Sequence, residues 1–250
     1  MEPVIIRNVA IGKGIPKICI PIIRTTKEAI LKEAQNIRRL PADIVEWRAD
    51  WFENVADIEK VKEVLASLRK ALGDIPLLFT FRTEDEGGER AIAEEGYIAL
   101  NKAVIESGQA DIIDIQMFAG AEDMIAYAHA RGVKALASNH DFCGTPAAAE
   151  IVARLRKMQS LGADIAKIAV MPQSKRDVLA LLEATEEMSR HSNKTPIVTV
   201  SMGKEGVISR LCGEAFGSAI TFGSAEKASA PGQMHAEDVK TVLEILHKSS

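Results

Sequence analysis

Short apolar or β-branched runs alternate with longer amphipathic segments along almost the whole chain. The short runs have strand length and lie at 17–23, 43–48, 76–82, 111–116, 133–139, 164–170, 196–201 and 219–222. Between and after them, apolar residues recur at helical spacing over 26–39, 57–72, 91–107, 121–131, 146–161, 174–190, 206–215 and 236–247. Boundary chemistry agrees with this division. Thr25 followed by Glu28 reads as a capping box, and Thr145 followed by Pro146 as a cap with a first-turn proline. Gly73, Gly108, Gly132 and Gly162 each follow a helical run, where a left-handed residue ends a helix. Eight strands alternating with eight helices predict a parallel sheet with helical crossovers. A doubly wound open sheet would bring a glycine-rich turn after its first strand, and none follows residue 23. The expected fold is therefore an α/β (β/α)8 TIM barrel, forming one domain over residues 1–250. The stretch VIIRNVAI (4–11) ahead of the first strand predicts a short hairpin that closes the barrel floor.

In such a barrel the C-terminal ends of the strands meet at one mouth, where active sites lie. The polar residues collect there. Lys167 interrupts the apolar run DIAKIAV, and alternation places it with Ile165 and Ala169, opposite Ala166, Ile168 and Val170. The bulkier set suits the layer against the helices, so Lys167 is expected to point into the barrel. Burial there lowers a lysine pKa and yields a neutral amine, which condenses with ketones and aldehydes. The competing reading is a strand-end lysine that reaches solvent or pairs with a carboxylate. Of the five histidines only His140 follows a strand at the site end, where it can shuttle protons beside the amine. Glu86, in the glycine-bearing loop after the third strand, can orient that imidazole; taken alone it reads equally as a solvated carboxylate. Arg48, Arg82 and Arg210 offer planar forks for an anionic substrate, although Arg48 and Glu46 share a strand face and can equally pair with each other. Ser229 and Gln233 sit in a Pro/Gly loop of the kind that closes over a ligand.

Composition narrows the partners. The 47% hydrophobic and 26% charged content is that of a globular protein, and a net charge of -4 gives no footprint for nucleic acid. No segment approaches the ~20 unbroken apolar residues of a membrane span, and Glu2 and Pro3 stand where a signal peptide would carry basic residues. The three cysteines, Cys19, Cys143 and Cys212, have no metal-ligand spacing. A reduced, cytoplasmic protein without metal is expected.

The chain resembles the type I 3-dehydroquinate dehydratases, Schiff-base enzymes of the shikimate pathway. The resemblance runs nearly end to end through EWRAD (46–50), FTFRTEDEGGE (79–89), SNHDF (138–142), GADIAKIAVMPQS (162–174), SMGKEGVISRLCGEAFGS (201–218), TFG (221–223) and SAPGQ (229–233). It implies a barrel without metal or organic cofactor, a homodimer, and the small-molecule substrate 3-dehydroquinate. It matches Lys167 to the Schiff-base lysine, His140 to the general acid/base, Glu86 to the acid that orients it, and Arg210 to the carboxylate-binding arginine. Glu46, Arg48 and Arg82 match the ring-hydroxyl side, Ser229 and Gln233 the closing loop, and Met202 and Phe222 the apolar wall. Two positions depart from the pattern: Gln116 stands where a glutamate is expected, and Pro21 where a small polar residue is expected. From residue chemistry alone, a class I aldolase acting on a phosphosugar would use the same lysine, with phosphate at Gly203, Gly206 and Gly223. A catalytically silent barrel that binds a metabolite or protein is a third reading.

Overall fold

The computed structural model describes residues 2–191 and 194–249, so Met1 and Ser250, the ends of the expected domain span, lie outside the described residues. The chain opens with a hairpin, β1 (Val4–Ile6) and β2 (Val9–Ile11), paired antiparallel. Parallel strands then alternate with helices: β3 (Lys17–Ile22), α1 (Lys27–Ile37), β4 (Ile44–Arg48), α2 (Ile58–Leu72), β5 (Leu77–Thr80), α3 (Glu94–Ser107), β6 (Ile112–Gln116), α4 (Ala121–His129), β7 (Lys134–Asp141), α5 (Ala148–Ser160), β8 (Ile165–Val170), α6 (Lys175–His191), β9 (Ile197–Ser201), α7 (Val207–Leu211), α8 (Gly213–Phe216), β10 (Ile220–Phe222) and α9 (Ala236–Lys248). The eight parallel strands run in the order β10-β3-β4-β5-β6-β7-β8-β9. The two end strands meet at a short seam, where Ala219 N donates to Ile197 O at 2.8 Å and Thr199 N to Ser218 Oγ at 3.1 Å. The sheet is thus a nearly closed barrel, as the alternation predicts.

Three strands begin with the same words: Ala-Asp-Ile at 42–44, 110–112 and 163–165. Each element of the triplet has a physical task. The aspartate carboxylate accepts a backbone N–H near the start of the preceding strand: Asp43 from Ile18, Asp111 from Leu77 and Asp164 from Ala135, each at 2.8 Å. These bonds pin the register at the N-terminal rim. The isoleucines Ile44, Ile112 and Ile165, with Ile220, then fill the barrel bottom against Ile6 and Ile11 of the hairpin. Asp111 also takes Arg7 Nε at 2.6 Å and so ties the hairpin to the floor. Two residues beyond each isoleucine, the same inward face carries Glu46, Asp114 and Lys167, with Phe222 in the fourth place. Three charges and one ring therefore stand where a barrel ordinarily stacks aliphatic side chains.

The outward faces pack on the helices. α2 shows why a helix forms there: Val61, Val64, Leu65, Leu68 and Leu72 recur at helical spacing on its buried face, and Asp57 caps it by accepting from Glu59 N and Lys60 N. Trp47 and Phe79 meet edge to face at 5.6 Å beneath it. Gly73, Gly108, Gly132 and Gly162 all have positive φ, as their positions after helices predict.

Several local expectations fail. Thr26, not Thr25, caps α1, accepting from Ala29 N. Helix α5 starts at Ala148 with Ala147 as its cap, so the Thr145-Pro146 pair lies before the helix. The single helix expected at 206–215 is two short ones broken at Cys212, which continues the Arg210 turn and re-aims the chain to the seam. The third strand ends at Thr80, leaving Arg82 beyond it, and β7 runs on to Asp141 because Asn139, His140 and Asp141 pair in register with Ile168, Ala169 and Val170.

Candidate active site

All eleven expected site residues line one cavity at the C-terminal mouth, about 520 Å³ of unfilled space partly open to solvent. Lys167 is only 5% exposed, and its ammonium lies 4.2 Å from the centroid of the Phe222 ring. Burial lowers its pKa, and the nearby Glu46 and Asp114 carboxylates only partly oppose that. The solvent-reaching alternative for this side chain is therefore not what the fold builds. His140 is one strand over, two residues beyond the partner of Lys167 in the β7–β8 register. Burial, followed by the positive charges of Arg82, Lys167 and Arg48, holds its pKa well below the usual imidazole value, so it is neutral. His140 therefore lies within a strand rather than after one, and a strand position fixes its direction more tightly than a loop would.

Glu86 reaches the cavity from a loop, and much of the surrounding hydrogen bonding serves to fix that loop. The buried Asp50 carboxylate accepts from Arg82 N at 3.3 Å and Glu89 N at 3.1 Å, and it takes both Nε and Nη2 of Arg48 at 2.8 Å. Gln116 clamps Thr83 reciprocally, accepting from its N and donating to its Oγ1, both at 2.9 Å. Gly87 is left-handed, and a Cβ on Gly88 would collide with the carbonyl of Arg82. Held this way, Glu86 accepts four donors: His140 Nδ1 at 2.9 Å, and His140 N, Arg82 Nη1 and Asn139 Nδ2 each at 3.1 Å. Burial raises its pKa, with Arg82 and Asn139 opposing. An acceptor-only carboxylate at Nδ1 assigns the proton to that nitrogen and leaves Nε2 as the base.

The arginines differ in how they are committed. Arg48 pairs with Asp50 and not with Glu46, which instead accepts from Thr80 Oγ1 at 2.9 Å; the Arg48–Glu46 alternative is corrected. Arg82 donates to Glu86, to Ser138 Oγ at 3.0 Å and to Asp114 at 2.7 Å. Among the described residues no carboxylate pairs with Arg210. Its Nη2 donates to Pro231 O at 3.0 Å, its buried Nε lacks a hydrogen-bond partner among them, and burial pushes its pKa down to about 10. A buried guanidinium of this kind suits an anionic group.

The matched family decides the identity. Residues 18–250 fit the model of the type I 3-dehydroquinases. The chain belongs to that family. It is 53% identical to the 3-dehydroquinate dehydratase of Clostridioides difficile strain 630 over 98% of this chain and 97% of that protein. It is 52% identical to the 3-dehydroquinate dehydratase of Salmonella agona over the full length of both. The crystal structure of the Clostridium difficile type I enzyme with covalent modified comenic acid superposes with a TM-score of 0.96 at 52% identity, covering 99% of each chain. The chain is therefore a hydro-lyase by family, and the aldolase and silent-barrel readings gain no support from any of these matches.

Several residues around the site had no role assigned to them from the sequence. Asp50, Asp114, Ser138 and Asn139 carry the charge network, and Phe142, Ala169 and Val200 complete the wall. Asp114 was within reach, since it occupies the same place after Ala-Asp-Ile as Glu46 and Lys167. Asn139 adjoins His140 at the site end of its strand, whereas Asp50 carried no such signal. Of the two departures, Gln116 is absorbed by its Thr83 clamp, and Pro21 lies in β3 opposite Glu46 in the register. Ser229 and Gln233 bond each other, Ser229 N to Gln233 Oε1 at 2.7 Å and Gln233 Nε2 to Ser229 Oγ at 2.9 Å, and both line the cavity. Among the described residues no group of three or more His, Cys, Asp or Glu side chains is arranged to hold a metal, and no helix is long and apolar enough to cross a membrane.

Proposed function

We propose that this chain converts 3-dehydroquinate to 3-dehydroshikimate through a Schiff base on Lys167, with His140 moving the protons and Glu86 orienting the imidazole. The observation that carries the reading is the neutral, carboxylate-oriented His140 beside a buried lysine of lowered pKa, at the mouth of a barrel of this family. The covalent ligand in the Clostridium difficile relative is consistent with a site that bonds to its ligands.

The substrate is a β-hydroxy ketone. Its loss of water needs a carbanion beside the carbonyl, which a ketone stabilises poorly. The Lys167 amine adds to the carbonyl carbon, and His140 assists departure of the carbinolamine oxygen as water. The iminium that remains withdraws electrons from the neighbouring C–H bond. His140 Nε2 removes that proton and an enamine forms. The enamine expels the β-hydroxyl, to which His140 returns a proton, and water then hydrolyses the imine to free the enone and the lysine. Arg210, lacking a protein counter-charge, takes the ring carboxylate and turns the reacting C–H toward His140. The loop bearing Ser229 and Gln233 excludes water. Glu46, Arg48 and Arg82 line the ring-hydroxyl side, and Met202 and Phe222 the apolar wall. The reaction serves aromatic amino-acid biosynthesis in a cytoplasmic homodimer, a state checked by light scattering against the 27.1 kDa chain.

Borohydride with 3-dehydroquinate tests the assignment. Mass spectrometry should find the reduced adduct on Lys167, and absorbance of the conjugated enone should report turnover. Turnover with no adduct, or an adduct elsewhere, rejects the lysine.

A further inference from the structure

Glu86 sits on a short 3-10 turn (Glu84–Glu86) of a loop, whereas the imidazole it orients stands on a strand. Orientation therefore depends on what holds the carboxylate. Its Oε2 faces His140 and Arg82, and its Oε1 accepts from Asn139 Nδ2 at 3.1 Å. The other end of the Asn139 amide, Oδ1, accepts from Arg154 Nη1 at 3.1 Å. Arg154 belongs to α5, outside the barrel, where Glu150 Oε1 holds its Nε at 2.9 Å and Asp141 stands 3.7 Å away.

We propose that Asn139 and Arg154 are positioning residues for the proton carrier, a relay from α5 through the Asn139 amide to Glu86 and so to His140. The inference rests on the Lys167–His140 reading above. A guanidinium only donates and an ionised carboxylate only accepts. An amide between them has one workable orientation, with Oδ1 toward Arg154 and Nδ2 toward Glu86. Without Arg154 the Asn139 side chain loses the contact that anchors its outer end, and its Nδ2 is free to swing away from the carboxylate. Glu86 would then lose a donor and protonate more readily, and the imidazole would lose its fixed tautomer. The groups facing Glu86 are Arg82 beyond β5, Asp114 on β6, and Asn139 and His140 on β7. Through Arg154 the Asn139 contact reaches back to α5.

The test uses the whole enzyme with histidine labelled by 15N, comparing wild type, Arg154→Met, Asn139→Leu and Arg154→Lys. Wild-type His140 should give the signals of a single Nδ1–H tautomer without ligand. Arg154→Met and Asn139→Leu should give a tautomer mixture, a kcat about tenfold lower, a KM within about twofold of wild type, and an acid limb moved to higher pH. Arg154→Lys, also a donor only, should recover most of each. Wild-type imidazole signals and acid limb in Arg154→Met overturn the proposal. Should Asn139→Leu fail to fold, Arg154→Met, a change on a partly exposed helix face, decides by itself. A failure of the chemical reading would appear separately, as loss of borohydride trapping in the wild type.

Discussion

Among single residues, the proposed site divides into groups with hydrogen-bonding capacity left over and groups already committed. Among the described residues Lys167, His140 Nε2 and Arg210 retain such capacity; Arg48, Arg82 and Glu86 are bound by protein partners. Lys167→Ala should abolish borohydride trapping and lower kcat by on the order of 10⁴-fold or more, as losing a nucleophile does; isothermal titration should still detect substrate. His140→Ala should lower kcat ~10²–10⁴-fold, the range of general acid–base catalysis, while imine intermediates accumulate on Lys167 and can be trapped. If Arg210 takes the ring carboxylate as proposed, Arg210→Ala should weaken substrate binding by about 2–3 kcal/mol, the scale of a charge-assisted hydrogen bond. That loss should appear chiefly in KM, and titration of a substrate ester lacking the negative charge should show no further loss.

At the scale of elements, the loop between β5 and α3 is the least replaceable part. It brings Glu86 in from outside the sheet, so its path is set by backbone contacts rather than by strand pairing. Gly88 packs directly on the Arg82 carbonyl, where any side chain must push the loop outward. Gly88→Ala should therefore cost activity far more than stability. Circular dichroism should find the barrel intact, while kcat falls and the His140 tautomer signal broadens. The strands were readable because alternation and the Ala-Asp-Ile triplets are local patterns, and the helices because their apolar spacing is. The loop was readable only as a loop. No local rule announces that Asp50 clamps Glu89 or that Asn139 reaches Glu86. Each depends on a partner distant in the sequence.

At the scale of the whole molecule, the barrel buries a charged layer where a simpler barrel would bury aliphatic side chains, and pH reports the consequence. His140 has a folded pKa below its unfolded value of ~6.5. The unfolded chain therefore binds this proton first, and stability falls as pH drops below ~6.5 toward the folded value. Urea midpoints measured between about pH 7 and pH 5 should decline, and His140→Gln should flatten the decline. The same depressed value keeps the base form of the enzyme populated on the acid side of neutrality. The acid limb of kcat/KM should accordingly lie below ~6.5. On the alkaline side kcat/KM should rise with ionisation of Lys167 at a pH below its ordinary ~10.4.

Periodicity and spacing, which need only near neighbours, were enough to give the alternation of strands and helices, the barrel it implies, and the polar side chains collected at its mouth. Folding in three dimensions was needed to settle which carboxylate Arg48 and Arg82 take, that Arg210 meets none among the described residues, and that Glu86 holds His140 Nδ1. Those outcomes depend on burial and on distances across the sheet, and only the closed barrel sets these.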